Sequence, residues 1–197
     1  MSTGPGGEGG RPTPVALDAD GQWVRGARRV ASPNCDRRPR ATRIELLVIH
    51  GISLPEGCYG GPHIEALFCN RLDPRAHPSF AALAGLRVSA HLLVRRDGEL
   101  IQFCPFGWRA WHAGASSFRG RRRCNDFSIG IELEGCDHAP YAPVQYRVLA
   151  GLARALIERY PGLSAERIVG HSEIAPGRKT DPGPAFDWSR LHGLLAA

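Results

Sequence analysis

No apolar stretch in the 197 residues approaches the roughly 18 that a transmembrane helix needs, so no membrane span is expected. The chain does not open with a basic head and an apolar block, the pattern of an export signal. It opens with MSTGPGGEGGRPTPVALDADG, rich in Gly and Pro, and residues 1–21 are expected to form a disordered tail. Paired cysteine motifs are lacking: Cys35, Cys58, Cys69, Cys104, Cys124 and Cys136 are well spread, and no two stand at the C-x₂₋₄-C spacing of a zinc finger. Without an export signal, the expectation is a cytoplasmic protein whose thiols stay reduced, mostly as small buried apolar groups. There is no H-E-x-x-H motif and no internal repeat. The formal charge of +6 favours acidic partners in a general way. The four tryptophans do not alternate with basic residues, so no nucleic-acid partner is expected.

What is present suits one domain over residues 22–197, with an apolar fraction of 43%. Gln22–Val24 and Ala27–Val30 read as extended, and the polar, proline-bearing Ser32–Thr42 as a loop. Ile44–Ile49 is a continuous apolar, β-branched run, the signature of a central strand covered on both faces, and it ends at His50. Pro62–Phe68 reads as a short helix opened by proline, and Ser79–Leu86 as another. Ser89–Arg96 and Glu99–Cys104 flank Asp97-Gly98, a favoured hairpin turn. Phe106–Asn125 is a long loop, and Phe127–Glu134 alternates as a strand. Pro143–Tyr160 carries an apolar stripe at helical spacing. Arg167–Gly170 is a short strand leading to His171, and Asp187 caps a last helix over Trp188–Leu195. The expected fold is α/β: a single domain with a central mixed β-sheet flanked by helices.

The chemistry concentrates in Gly170–Pro184, a run read as too rich in Gly and Pro for a helix. His171 and Asp181 offer nitrogen and oxygen ligands for zinc, and a catalytic zinc takes three protein ligands. His50, at the end of a central strand, is the third candidate. By spacing alone, a structural role for such histidines is the more common one. Glu132 and Glu134 leave their strand on one face, opposite Ile131 and Leu133, and periodicity does not choose between them as a base. Lys179 stands ready to stabilise an oxyanion or to sit solvated on a loop tip. His91 and His112 are candidates for an outer shell or for the substrate side. The run Arg119–Arg123 is either a solvated loop or a reader of carboxylates.

Taken together, VIHGISLPEG, GGPHIEALF, DPRAHPSF, LRVSAHLLVRRDGELIQF, RAWHAGASSFRGRRRCNDFSIGIELEG and GHSEIAPGRKTDPGPAFDW resemble the AmpD-type 1,6-anhydro-N-acetylmuramoyl-L-alanine amidases. These zinc amidases share their fold with peptidoglycan recognition proteins and the phage T7-type lysozyme. The resemblance runs from about Trp23 to Trp188. It implies that His50, His171 and Asp181 bind Zn2+, that Glu132 activates water, and that Lys179 stabilises the tetrahedral intermediate. It implies that Arg87 and Trp111 line a pocket for the anhydro sugar and that Arg123 and Arg178 meet the acidic end of the peptide. The implied activity is hydrolysis of the amide between the lactyl group of anhydromuramic acid and L-alanine of a muropeptide, by a monomer, in cytoplasmic peptidoglycan recycling. Two positions depart from the pattern: Gly51 stands where a polar residue such as Asn is expected, and His63 where an aromatic such as Trp is usual.

Overall fold

The computed structural model describes residues 11–197. Its strands are β1 (Arg28–Arg29), β2 (Cys35–Arg37), β3 (Leu46–Ile52), β4 (Leu92–Val94), β5 (Leu100–Gln102), β6 (Trp108–Ala110), β7 (Ser117–Phe118), β8 (Arg121–Arg122), β9 (Ser128–Glu134) and β10 (Ile168–Gly170). Its helices are α1 (His63–Phe68), α2 (Pro143–Arg159), α3 (His171–Ile174) and α4 (Trp188–Ala196). Six strands form one mixed sheet in the order β1-β5-β4-β9-β3-β10. β4 and β5 pair antiparallel, and the other four pairings are parallel.

β3 and β9 lie at the centre because both are apolar enough to be covered twice. Leu47, Ile49, Ile129, Ile131 and Leu133 project to one face and pack with Leu149, Leu152 and Leu156 of α2 and Leu191 of α4. Leu46 and Val48 project to the other face, against Ala113, Cys124 and Phe127 of the 111–127 segment. On that same face α1 lays Ile64, Leu67 and Phe68 over Leu93 and Ile101. The Asp97-Gly98 turn joins β4 to β5, with Gly98 at φ +93°. The Asp187 carboxylate accepts the Arg190 N–H at 2.9 Å and caps α4.

Several expectations change. The tail expected over 1–21 ends sooner: Leu17 bridges Val24, and the Thr13 N–H donates to the Arg147 carbonyl of α2 at 3.0 Å. Gly151 on α2 is what lets the Thr13 backbone approach so closely. Residues 1–10 lie outside the described residues. The helix expected over Ser79–Leu86 is a 3₁₀ turn, Pro78–Leu83, with His77 as its cap. The two expected loops hold short ladders instead: β2 pairs with β6, and β7 with β8. His171 opens the single helical turn α3 rather than a loop, because the Glu173 carboxylate accepts the Gly170 N–H at 2.9 Å and the Gly/Pro content begins only at Pro176.

Candidate active site

Strand register brings the first groups together. His50 of β3 lies directly across from Glu132 of β9. On the other side of β3, Gly170 pairs with Ile49, so the next residue, His171, arrives beside His50. The chain then loops back, and the Ser172 N–H holds the Asp181 carbonyl at 3.0 Å. His50 Nδ1 lies 3.0 Å from His171 Nδ1 and 3.0 Å from Asp181 Oδ2, and His171 Nδ1 lies 3.1 Å from the same oxygen.

Three such atoms in a triangle need something positive between them. A neutral imidazole carries one N–H. His171 Nε2 faces the Ala113 carbonyl at 3.3 Å, and His50 Nε2 faces His112 Nδ1 at 2.9 Å. With those N–H groups spent outward, both Nδ1 lone pairs point at the Asp181 oxygen. Ligand atoms about 2.0–2.1 Å from a tetrahedral zinc stand about 3.3 Å apart, close to the spacings here. The donor set, two imidazoles and one carboxylate, is also one that zinc accepts, with a fourth position left open.

Burial shapes the charges. Burial pushes the His50 imidazole down to about 4, so this ring is neutral, as a metal ligand must be. Burial raises the Asp181 carboxyl, but the His171 and His50 side chains beside it outweigh burial and hold Asp181 well below the usual carboxylate range. Glu132 is the opposite case: burial, then the nearby Asp181 charge, pushes its carboxyl well above the ordinary value. Its Oε2 is buried without a hydrogen-bond partner among the described residues. Such an atom is costly unless it has a task.

Glu134 points to the same face of β9 and is fully occupied. Its carboxylate takes Arg95 at 2.8 Å, the Gly60 N–H at 2.7 Å and the Arg96 N–H at 3.2 Å. The structure therefore separates two acids that periodicity left equivalent.

The three ligand candidates, Glu132 and Lys179 open onto one cleft of about 220 Å³. Leu54, Leu67, Phe68, Leu83, Leu86 and Val88 form its apolar wall. His112 reaches the cleft from below. Its Nε2 meets Ser128 Oγ at 3.1 Å, so His50, His112 and Ser128 form a chain running away from the site. Its ring fits because position 130 is glycine; a Cβ there would fall 2.5 Å from the ring. His91 is the other outer-shell candidate and makes no contact with the ligand atoms. Its Nδ1 accepts the Gly130 N–H and its Nε2 donates to the Trp108 carbonyl, both at 3.0 Å, which ties β9 to β6.

The four residues expected at the substrate fall into two places. Exposed Arg87 lies between Leu86 and Val88 at the cleft rim. Half-buried Trp111 precedes His112, and its carbonyl accepts the N–H of the cleft residue Ser89 at 3.1 Å. Arg123 and Arg178 line a separate groove with Arg122, formed by the 114–117 and 174–178 segments. Arg123 pairs with Asp126 at 3.1 Å, and Arg178 braces the Ala113 and Ala115 carbonyls at 2.7 and 2.8 Å. Sequence reasoning missed Ser128 and the apolar wall, which no local pattern marks as a group. Among the described residues, no helix is long and apolar enough to cross a membrane.

The family described as N-acetylmuramoyl-L-alanine amidase matches residues 40–184. The chain is 59% identical over 174 residues to the 1,6-anhydro-N-acetylmuramyl-L-alanine amidase AmpD of Escherichia coli (strain K12), covering 88% of this chain and 94% of that protein. A crystal structure of a selenomethionine AmpD derivative superposes with a TM-score of 0.87 at 58% identity, covering 91% of this chain and 98% of that one. Another solved structure is the E. coli amidase AmiD in complex with the substrate anhydro-N-acetylmuramic acid-L-Ala-D-γ-Glu-L-Lys. It superposes with a TM-score of 0.56 at 35% identity, covering 80% of this chain and 60% of that one.

Proposed function

The chain belongs to the N-acetylmuramoyl-L-alanine amidase family, and we propose that it hydrolyses the amide between the lactyl group of 1,6-anhydro-N-acetylmuramic acid and L-alanine in muropeptides, with zinc as cofactor, in cytoplasmic peptidoglycan recycling. One observation carries this reading: three lone-pair donors converge beside a buried carboxylate whose own oxygen has no partner. The relatives act on anhydromuramyl substrates by name, and one was solved with such a substrate bound.

His50, His171 and Asp181 would hold the zinc. When bound, zinc polarises a carbonyl and lowers the pKa of water to about 7. Glu132 lies in hydrogen-bonding register with His50 across the β3–β9 pair, and its burial favours proton uptake. It is therefore suited to take a proton from the attacking water and return it to the leaving amine of L-alanine. Lys179, the only lysine of the chain, brings a cation to the same cleft, where negative charge develops on the carbonyl oxygen. The apolar wall excludes water from around these groups and strengthens their interactions. Arg87 and Trp111 would contact the sugar, and Arg123 and Arg178 the acidic peptide. One chain carries the whole set, so a monomer suffices.

The test is incubation of the zinc-loaded protein with anhydromuropeptides and with intact cell wall, followed by mass spectrometry. Free anhydromuramyl sugar and free peptide are the expected products. Exclusive release from polymeric wall would move the protein to an exported role, and no release from either would defeat the proposal.

A further inference from the structure

The loop that carries Asp181 is held by a phenol from the helical side of the sheet. Tyr141 is 4% exposed, and its Oη donates to the Pro182 carbonyl at 2.9 Å, one residue after Asp181. The backbone bonds made by residues 179–183 themselves are local: Lys179 N–H to the Ala175 carbonyl, Ser172 N–H to the Asp181 carbonyl, Gly183 N–H to the Thr180 carbonyl, and Phe186 N–H to the Gly183 carbonyl. The Tyr141 hydroxyl is thus the link from the backbone beside Asp181 to a distant part of the fold, and the next one along the chain is the Ala185 N–H on the Asp137 carbonyl at 3.1 Å.

The hydroxyl reaches Pro182 only because position 51 has no side chain. A Cβ at Gly51 would fall 2.1 Å from Tyr141 Oη, far inside contact distance. The next atoms it would meet, Tyr141 Cζ at 3.4 Å and the Pro182 Cα at 3.5 Å, lie at ordinary separations. Gly51 is not among the glycines with positive φ, so its backbone does not demand glycine. The demand comes from one oxygen atom. On the ring's other side, Gly135 leaves room in the same way, with a would-be Cβ 2.3 Å from Tyr141 Cε1. Phe186 meets the ring edge-on at 5.5 Å between centroids.

We propose that Tyr141 is a positioning residue for the ligand Asp181, and that Gly51, next to the ligand His50, is required to admit its hydroxyl. The inference rests on the zinc amidase reading above. It assigns a role to the departure at position 51: the missing side chain is replaced by a phenol that fixes the carboxylate loop.

The test is a double-mutant cycle of Tyr141→Phe, Gly51→Ala and the pair, in the full chain. The readouts are zinc transfer to a chromophoric chelator and the visible absorption of the Co2+-substituted protein. Tyr141→Phe should release zinc about 10-fold faster or more, as loss of an outer-shell partner does, and should alter the cobalt spectrum. Gly51→Ala should act in the same direction by expelling the hydroxyl. The double variant should match Tyr141→Phe within about twofold, because the added methyl then meets only ordinary contacts. Should Gly51→Ala fail to fold, Tyr141→Phe decides alone, since it removes a single oxygen. Zinc release and cobalt absorption unchanged in Tyr141→Phe would overturn the proposal, as would fully additive effects in the cycle. Wild-type protein that takes up no zinc would overturn the zinc reading itself, a result distinct from an unperturbed Tyr141→Phe.

Discussion

Glu132 and Glu134 leave β9 on the same face, two residues apart, and differ in what surrounds them. Glu134 is neutralised by buried Arg95, which also holds Glu65 of α1 at 3.0 Å. Among the described residues Glu132 has no cationic hydrogen-bond partner, and it faces the cleft. Glu132→Gln should lower kcat by about 10²- to 10⁴-fold, the usual worth of a general base, with zinc content unchanged. Glu134→Gln should keep turnover per folded molecule but lose about 1.5–3 kcal/mol of stability, the worth of a hydrogen bond to a charged group, because Arg95 keeps Glu65 but loses its buried carboxylate partner. Turnover, metal analysis and thermal melts on the two variants separate the roles. The alternation of β9 was legible in the sequence and put both acids on one face. The choice between them was not, because Arg95 comes from the end of β4, and only the β4–β9 pairing brings it to Glu134.

At the scale of elements, the segment from Trp111 to Asn125 connects the outer part of the site to the candidate metal ligands. Asn125 Oδ1 accepts the N–H groups of His112 and Ala113 at 3.1 and 2.7 Å. That clamp aims His112 at His50, and the Ala113 carbonyl at His171. His112→Ala should therefore weaken zinc binding about 10- to 100-fold with the sheet intact, read by metal titration alongside circular dichroism. β3, β9, α2 and α4 were legible because a run of seven or more residues shows its period. β2, β6, β7 and β8 were not, since two or three residues carry no period and these pairings are long-range or local accidents of the loop path. His50 was placed at the end of its strand but lies within β3, which continues to Ile52. The extension changes the argument in one respect: register, rather than loop geometry, sets His50 against Glu132.

For the whole molecule, the candidate metal site lies near the C-terminal ends of the parallel strands β9, β3 and β10, and it joins elements more than a hundred residues apart in sequence. Zinc should stabilise the fold accordingly, by about 2.7 kcal/mol at a hundredfold excess over its Kd. The metal-free protein should respond to pH through Glu132. Burial, then the Asp181 charge, raises the Glu132 carboxyl in the folded state, so the fold retains a proton that the unfolded chain releases near its ordinary value of 4.5. Where the folded state holds more protons, stability falls as pH rises, from about that value up through the raised folded one. The lowered imidazoles of buried His50, His91 and His112 push the total slope the other way below 6.5, so calorimetry of chelator-treated protein should show the Glu132 contribution as the difference in slope between the wild type and Glu132→Gln; identical slopes would contradict it. The family and the convergence of His50, His171 and Asp181 were legible because their motifs stand in order along the chain, whereas Tyr141, Ser128 and the apolar wall gain meaning only from packing. The most direct measurement of the central claim is zinc content per chain after dialysis, in the wild type and in Asp181→Ala. The account predicts one zinc in the wild type and close to none in a folded variant, and full occupancy in Asp181→Ala would contradict it.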